Sequence, residues 1–288
     1  MIRALALLAC LAACARGPDS VPPPAADTLR VATYNVHYIA LNGEGDWSVA
    51  DWETRKEPLD LAVKALQADI VAFQEMESFG RGGDPNVNLA KDWLLARNPD
   101  LAAAAVGDAR RFPSTQPIFY RTERLRLLDQ GWYFFSDTPD VIYSRSFDGS
   151  YPAFASWARF EDRRDGTRVH VTNVHTDAFR AENRTGAMDL VARRMAPVIA
   201  SDDVTILAGD LNGTVGMYPV QRMQDAGLTF AGVTGSTYHF DRGLNLFGAI
   251  DHIAYRGARQ RGKPVVLRRQ FAGEWPTDHY PVLVDLAY

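Results

Sequence analysis

Short apolar segments that lead into an acidic, amide or imidazole side chain recur along this chain. Leu29-Arg-Val-Ala-Thr-Tyr-Asn35 has a strand pattern, and Ile70-Val-Ala-Phe-Gln-Glu75 has the pattern of a short buried strand. Six strands are predicted to carry such a polar group at the C-terminal end: Asn35, Glu75, Asn173/His175, Asp210/Asn212, Asp251 and Asp278/His279. One polar residue at a strand end is usually a turn or cap residue. Six that can bind metal or transfer protons instead indicate a site built from strand ends.

Strand patterns outnumber helix patterns over the rest of the chain. Residues 51–67 place Leu59, Ala62, Val63 and Leu66 at the i, i+3, i+4 and i+7 positions of a helix. Further helices are predicted over 88–97 and about 182–199, and further strands over 117–120, 125–135, 153–160, 168–175, 204–210, 248–255 and 281–286. Since the helices are spread among the strands, this order predicts packed sheets with helices outside.

Side-chain alternation along two of these strands predicts which residues face each other. Asn173 and His175 share one face of their strand. In the strand Val204-Thr-Ile-Leu-Ala-Gly-Asp210, Asp210 shares its face with Ile206 and Ala208 and projects where that apolar face ends.

The two cysteines both lie within the first 14 residues. Residues 1–13 combine one positive charge, a short apolar stretch and small residues, which is typical of a secretory signal rather than a spanning helix. Leu11-Ala-Ala-Cys14 resembles the bacterial lipobox, so Cys14 is predicted to be lipidated, with Cys10 as a weaker competitor and an ordinary cleaved signal as the alternative. Residues 14–28 have the composition of a Pro-rich tether, and residues 29–288 are predicted to form one domain. We therefore expect a protein anchored in the bacterial cell envelope, on the periplasmic or surface side, with the outer membrane as the expected membrane.

The balance of charges limits the classes of function. A formal net charge of −4 argues against a protein that mainly coats nucleic acid, because such proteins present a strongly basic face. It leaves a metal-dependent nuclease open, since a bound cation can supply local positive charge. With 47% hydrophobic and 23% charged residues, the chain is also not of the disordered class.

The ordered set of motifs resembles the endonuclease/exonuclease/phosphatase superfamily, from about Leu29 to Ala287. The matching motifs are Thr33-Tyr-Asn35-Val, Phe73-Gln-Glu75, Asn173-Val-His175-Thr-Asp177, Gly209-Asp210-Leu-Asn212, Ile250-Asp251-His-Ile and Thr277-Asp278-His279-Tyr-Pro. The resemblance implies an α/β (α+β) fold of the deoxyribonuclease kind. This is a four-layer sandwich of two mostly antiparallel sheets flanked by helices, with the active site at one end.

The resemblance also implies a metal site and a proton-transfer pair. Glu75 would be the principal metal ligand, with Asn35 and Asp278 close by. Carboxylate and amide oxygens are ligands that Mg²⁺ or Mn²⁺ prefers. His279 would take a proton from the attacking water, and Asp251 would fix its tautomer.

Six further residues are implied to orient the reactants or contact the phosphate. Asp210 and Asn212 would position the nucleophile and the phosphate, and His175 would hydrogen-bond a phosphate oxygen or assist the leaving group. The candidates for substrate-phosphate contact are Tyr120, Asn173 and Arg184.

Other conspicuous residues have less specific interpretations. His252 is predicted to point away from Asp251, and His239 is the first candidate among the remaining histidines for lining the pocket. Asp177 is expected to order a loop. The aromatic run 132–135 is expected in a core strand rather than in a membrane-inserting wedge. The basic stretch from Arg256 to Arg269 fits phosphate contacts and a solvated hairpin equally well.

These observations predict a metal-dependent, monomeric hydrolase of phosphate esters. Its substrate stays open among DNA, RNA, lipid headgroups and sugar phosphates, because a fold does not set its substrate. A lipid-headgroup substrate is favoured by the anchor, which is expected to hold the site near a membrane. The alternative from another class is a non-catalytic envelope binding protein that retains the fold.

Overall fold

Two six-stranded β-sheets pack face to face in the computed structural model, which describes residues 21–80 and 84–288. Its strands, in chain order, are β1 (Leu29–Asn35), β2 (Ile39–Ala40), β3 (Ile70–Gln74), β4 (Ser78–Phe79), β5 (Leu101–Ala104), β6 (Ile118–Arg121), β7 (Leu125–Phe134), β8 (Phe154–Asp162), β9 (Arg168–His175), β10 (Val204–Asp210), β11 (Thr229–Phe230), β12 (Asp251–Arg256), β13 (Arg259–Val266) and β14 (Val282–Ala287). Its α-helices are α1 (Val49–Leu66), α2 (Leu89–Arg97), α3 (Ala181–Ile199) and α4 (Tyr218–Asp225). The predicted signal and both cysteines lie outside the described residues.

Each sheet contains one parallel pair of strands among antiparallel neighbours. The first sheet has the order β13-β14-β1-β3-β6-β5, with β1 and β3 parallel. The second has the order β11-β12-β10-β9-β8-β7, with β9 and β10 parallel. One apolar cluster fills the space between the sheets, and two others lie beneath the helices on the outer faces. The expected four-layer α+β sandwich of two mostly antiparallel sheets is confirmed.

The polar strand ends meet at one end of the sandwich, although not all as predicted. β1, β3, β9 and β10 point their C-terminal ends there. Asp251, however, is the first residue of β12, and Asp278 and His279 precede β14. The expectation of a C-terminal position is therefore wrong for these three. They reach the same edge because β12 and β14 run antiparallel to β10 and β1.

The predicted alternation of side chains is borne out in the packing. Ile206 and Ala208 lie in the cluster between the sheets, while Val174 packs under the helices of the outer layer. Asn173 and His175 therefore face the interior of the sandwich. This alternation gives Asp210 its inward direction at the end of β10.

Helix boundaries follow local capping signals. The Ser48 hydroxyl accepts a hydrogen bond from Asp51 N and starts α1, and the Asn88 side chain caps α2 in the same way. The elements absent from the sequence prediction are α4, the strands β5 and β13, and the two-residue strands β2, β4 and β11. The strand β13 could not be predicted because its sequence, Arg-Gln-Arg-Gly-Lys-Pro-Val-Val, has little alternation of apolar and polar residues.

The two ambiguous segments have clear places in the fold. The run 132–135 lies in and just after β7, with Tyr133, Phe134 and Phe135 buried. The basic stretch runs from the last residue of β12 through β13 and ends just after it, and Arg259 pairs with Ala287 at the end of the sheet remote from Asp251. Most of this stretch therefore lies away from the polar strand ends. Within residues 21–80 and 84–288, no helix is both long and apolar enough to span a bilayer.

Candidate active site

Asn35 joins the two sheets at the centre of the site. Its Nδ2 donates to Glu75 Oε1 at 2.9 Å and to Asp210 Oδ2 at 3.2 Å. Its Oδ1 accepts a hydrogen bond from the backbone N–H of His37 at 3.1 Å. The amide nitrogen, rather than the oxygen expected of a metal ligand, thus faces the acids. In this arrangement Asn35 holds the two carboxylates together.

Glu75 reaches the site through a break in strand geometry. β3 ends at Gln74, which faces inward, so simple alternation would send Glu75 toward the helices. A left-handed backbone, with φ of 54°, turns its carboxylate to Asn35 instead. Burial opposes its ionisation, but the imidazoles of His175 and His37 and the Asn35 hydrogen bond keep the pKa of Glu75 below its usual value. These contacts therefore favour the ionised form of Glu75.

His279 and Asp251 form a hydrogen-bonded pair. His279 Nδ1 lies 2.9 Å from Asp251 Oδ2, and His279 Nε2 lies 3.8 Å from Asp210 Oδ2. Thr237 Oγ1 accepts the backbone N–H of Asp251 at 3.1 Å and so fixes the acid. Burial favours the neutral imidazole, but Asp251, and more weakly Asp210 and Asp278, raise the pKa of His279 above its usual value. The pair has the geometry of a general base and its orienting carboxylate.

Asp210 lies between two imidazoles. His175 Nε2 is 3.8 Å from Asp210 Oδ2 and 3.7 Å from Glu75 Oε1, while His279 approaches from the other side. Burial and the charge of Asp251 raise the pKa of Asp210. The expected grouping of Asp210 with both histidines is thus present.

The segment around Asp210 depends on two unusual backbone positions. Gly209 has φ of 149°, and a Cβ there would lie 1.9 Å from Val174 O, so only glycine fits between β10 and β9. Asn212 has φ of 43°, its N–H donates to Asp210 Oδ1 at 2.9 Å, and its Nδ2 donates to Thr176 O at 2.8 Å. Asn212 therefore ties the loops after β9 and β10 together beside the site.

Asn173 has a different place from the one its sequence motif implied. Its Nδ2 donates to Phe73 O at 2.7 Å and Gln116 O at 3.2 Å, and its Oδ1 accepts from Gln74 Nε2 at 2.7 Å. The side chain is fully buried. With its donor group and acceptor engaged between the sheets, Asn173 supports the site from below and has no access to a phosphate.

The structure does not bring Tyr120 and Arg184 to the acids. Tyr120 pairs with Ile70, at the start of β3, and its ring packs 5.0 Å from Phe160 between the sheets. This is the end remote from Glu75. Arg184 donates to the carbonyl of Asp177 at 2.8 Å and braces the loop after β9. The positions of these two residues in the sequence resemble those of substrate contacts in the family, and spacing alone could not show that their side chains lie elsewhere.

Asp278 lies beside the site through its neighbour Thr277. Thr277 Oγ1 lies 3.2 Å from both Asn35 O and Asp278 Oδ1. The loop that carries Asp278 and His279 is thereby joined to the end of β1. Among the described residues, the Asp278 carboxylate has one hydrogen bond, from the Thr277 hydroxyl.

Arg55 is a site-supporting residue that the sequence did not reveal. Its buried guanidinium donates to the carbonyls of Val36 at 2.9 Å, Tyr38 at 3.2 Å and Pro276 at 3.3 Å, and its Nε donates to Asp51. It thus clamps the loop after Asn35 to the loop before Asp278. An arginine on a helix is normally read as exposed, so no sequence signal marks this role.

The other histidines and Asp177 have structural surroundings. His239 is fully buried and its ring stacks 4.1 Å from Tyr280, so it does not line an open pocket. His252 points to the opposite face of β12 from Asp251, as predicted, and its Nε2 lies 2.8 Å from Gly213 O. The Asp177 carboxylate accepts backbone N–H groups from residues 150, 179 and 180, which matches the expected loop-ordering role.

The donor atoms present fit a hard divalent cation. Asp210, Asp251 and His279 each bring one ligand atom within 4.8 Å of the others, the one such set of three among the described residues. His279 Nδ1 is already bonded to Asp251, however, and Asp251 and Asp210 are almost inaccessible. The Glu75 side chain is 23% exposed and offers a charged oxygen to solvent. The Glu75 carboxylate, which Asn35 joins to Asp210, is therefore a better place for a cation than the buried Asp251–His279 pair.

A family model described as the Endonuclease/Exonuclease/phosphatase family matches residues 32–279. The chain belongs to this family. A search of curated proteins finds no match.

Solved structures share the fold at low identity. A mannosyl-6-phosphatase from Bacteroides thetaiotaomicron aligns with a TM-score of 0.76 and 24% identity, covering 90% of this chain and 100% of its own. Humanized D. rerio TDP2 aligns with a TM-score of 0.65 and 15% identity, covering 91% and 100%. The human nocturnin catalytic domain, with bound sulfate, gives 0.64 and 16%, covering 92% and 96%. The fold and the family indicate a hydrolase of phosphate esters.

Proposed function

We propose that this protein is a metal-dependent hydrolase of phosphate esters, in which His279 activates the attacking water. The observation that carries the proposal is the His279–Asp251 hydrogen bond of 2.9 Å, which leaves Nε2 directed to the cluster of Asp210, Asn35 and Glu75. A base and two carboxylates then face one space, as attack of water on phosphorus requires.

The chain's own residues perform the proton transfer and the positioning. Neutral His279 accepts a proton from water at Nε2, and Asp251 stabilises the imidazolium that results. Asp210 orients the water, while His175 donates a hydrogen bond to a phosphate oxygen or to the leaving group. No covalent intermediate is needed, because positioning and electrostatics can supply most of a phosphoryl-transfer barrier.

Mg²⁺ or Mn²⁺ is the cofactor we propose, held by Glu75 and supported by Asp210, with Asp278 nearby. When bound, the cation would neutralise phosphate charge and offset the carboxylates that hold the pKa of His279 high. Activity should disappear with EDTA and return with either ion, and Glu75→Gln should raise the metal concentration needed for half-maximal activity by more than ~10-fold. Full activity in excess chelator would exclude this assignment.

The related structures support the same general chemistry. One is named for removal of phosphate from a mannosyl 6-phosphate, a D. rerio TDP2 structure holds a single-strand DNA product, and human nocturnin holds a sulfate anion. Their common element is a tetrahedral anion or an ester of one. This breadth supports phosphate-ester hydrolysis and leaves the alcohol part to be assigned from this chain's own surface.

The test of the proposed function is metal-dependent turnover of p-nitrophenyl phosphate and bis-p-nitrophenyl phosphate. His279→Ala should lower turnover by ~10²–10⁴-fold, and Asp251→Asn should give part of that loss. The double variant should be little worse than His279→Ala, because the two groups act as one unit. The matched control is His252→Gln, which alters the adjacent, outward-facing histidine and should retain turnover. A folded wild-type protein without turnover of any phosphate ester would favour the non-catalytic binding protein.

We also propose that Cys14 anchors the protein in the cell envelope. Ala25 N donates to Asp285 Oδ2 beside the start of β1, so the chain enters the domain at the end remote from Asn35. The six residue steps of β1 separate these ends by about 20 Å. The residues that follow the tether therefore enter the domain on the side opposite the site.

A further inference from the structure

A chain of aromatic rings leads outward from His279. The Tyr238 ring lies 5.0 Å from the His279 ring, Phe240 lies 4.4 Å from Tyr238, and Phe247 lies 5.8 Å from Phe240. Exposure increases along this chain, from buried His279 to Phe240 at 37% and Phe247 at 58%. The rings thus form a wall from the reacting centre to the surface.

The segment that carries this wall is held in a fixed shape. Ser236 Oγ donates to Phe247 O at 2.7 Å and accepts from Phe247 N at 2.7 Å, which closes the loop at its base. Phe240 and Asp241 both have left-handed backbones, with φ of 58° and 54°. Such conformations cost free energy in non-glycine residues and are concentrated at functional sites. Burial in the core does not compensate for this strain, since Phe240 and Asp241 are both exposed.

Asp241 adds a hydrogen-bond acceptor next to Phe240 in this wall. Its carboxylate makes no hydrogen bond or ion pair with another described residue, and it follows Phe240 directly in the chain. Partial burial and the charges of Asp278, Asp51 and Asp46 raise its pKa to about 6. These acids make the outer part of the site unfavourable for a ligand with a second phosphate.

We propose that Tyr238, Phe240, Phe247 and Asp241 form a subsite for the alcohol part of the substrate, and that this part is a sugar ring. The inference rests on the proposed function, because the rings lead from the proposed base. Aromatic faces carry negative charge and attract the C–H face of a pyranose. A carboxylate at the edge accepts hydrogen bonds from hydroxyl groups. A neutral ring with several hydroxyls and one phosphate matches both features, whereas a polynucleotide brings further phosphates to the acids.

The test compares three monoesters with one phosphate each: mannose 6-phosphate, glycerol 3-phosphate, which has no ring, and adenosine 5′-monophosphate, which has a base. The measured quantity is the ratio of kcat/KM for the sugar ester to that for glycerol 3-phosphate. Phe247→Ala should lower this ratio by about three- to tenfold, mainly through KM, the size expected of one aromatic contact. Asp241→Asn should lower it in the same direction. Leu246→Ala, at the equally exposed neighbouring position, should leave it unchanged.

The outcomes separate this subsite from the proposed function. A wild-type protein that hydrolyses glycerol 3-phosphate as well as mannose 6-phosphate overturns the subsite and leaves the hydrolase in place. A preference for adenosine 5′-monophosphate that Phe247→Ala removes overturns the sugar assignment. Equal losses in Phe247→Ala and Leu246→Ala assign the effect to the loop as a whole and also overturn it. No turnover of any ester with Mg²⁺ or Mn²⁺ overturns both proposals.

Discussion

Replacing Asn173 by alanine tests whether this residue supports the fold or binds phosphate. The change removes three hydrogen bonds that lie between the sheets, two at 2.7 Å and one at 3.2 Å. At about 1 kcal/mol net for each, the loss of unfolding free energy is about 3 kcal/mol. For a domain of this size that corresponds to a fall in Tm of about 6–12 °C.

The loss should be confined to stability. Gln116 O retains its hydrogen bond from the Ser156 hydroxyl, and Gln74 Nε2 retains its hydrogen bond to Thr33 Oγ1. The strand ends should therefore stay in register at temperatures well below Tm. KM for a phosphate ester should then remain within about twofold of the wild-type value. Urea unfolding, a thermal melt and steady-state kinetics at 20 °C measure the three quantities.

A second buried asparagine provides the matched control. Asn183, on α3, donates one hydrogen bond, to Ser146 O at 3.2 Å. Asn183→Ala should cost about 1 kcal/mol, a third of the Asn173 effect. The reasoning is refuted by an Asn173→Ala protein with an unchanged Tm and a tenfold higher KM, because that result requires the amide to contact the substrate.

Three further predictions concern the backbone, the anchor and the response to acid. Gly209→Ala should lower the unfolding free energy by more than ~3 kcal/mol, measured in urea, because its Cβ would lie 1.9 Å from Val174 O; Gly216→Ala, where the space is open, should cost about 1 kcal/mol. Cys14→Ser should move the protein from the membrane to the soluble fraction with turnover retained, and a variant that still sediments with membranes excludes this anchor. Burial lowers the pKa of His170 to about 4. As the pH falls from 6.5 toward 4, the unfolded chain therefore binds a proton that the folded protein does not, and the folded state loses stability. His170→Asn should reduce the stability lost between pH 7.5 and 4.5 by about 2–3 kcal/mol, and equal losses in both proteins contradict this.

The sequence predicted best what local patterns encode. The bounds of β1, β9 and β10 agree with prediction, because apolar runs with period-two alternation end there in polar groups. Contacts between the layers have no such pattern. Asn173 has the same local signal whether it points to a substrate or to Phe73 O in the opposite sheet. Only the packing of the sheets decides between the two.

The sequence also left out residues that act from a distance along the chain. Arg55 lies 221 positions from Pro276, whose carbonyl it binds, and α1 gives no sign of that partner. Tyr238 comes next to His279 through an isolated pairing of two loops. The roles of both residues are visible only in the folded structure, where the loops meet, because composition and periodicity describe one segment of the chain at a time.

The two ends of the sandwich differ in how their charges are satisfied. At the end remote from the site, Asp162 is buried and accepts hydrogen bonds from Arg124, Arg164 and Tyr288, which keep its pKa low although burial opposes this. At the site, Asp210 has imidazoles at 3.8 Å and a raised pKa. The Asp162 carboxylate at the remote end thus has its cationic partners within the chain. The carboxylates at the site can still accept additional positive charge.

Backbone strain follows the same division. Of the thirteen non-glycine residues with positive φ in the described ranges, all except Asp27 and Gln67 lie on loops at the site end. Each such residue costs of order 1 kcal/mol or more, and the cost is tolerated where surrounding contacts fix the backbone. The strained residue Glu75 presents a carboxylate to the site, and the strained residue Phe240 places its ring against Tyr238, which contacts His279. The strain is not explained by core packing, and we propose that it holds these groups in position for binding of a substrate and a cation.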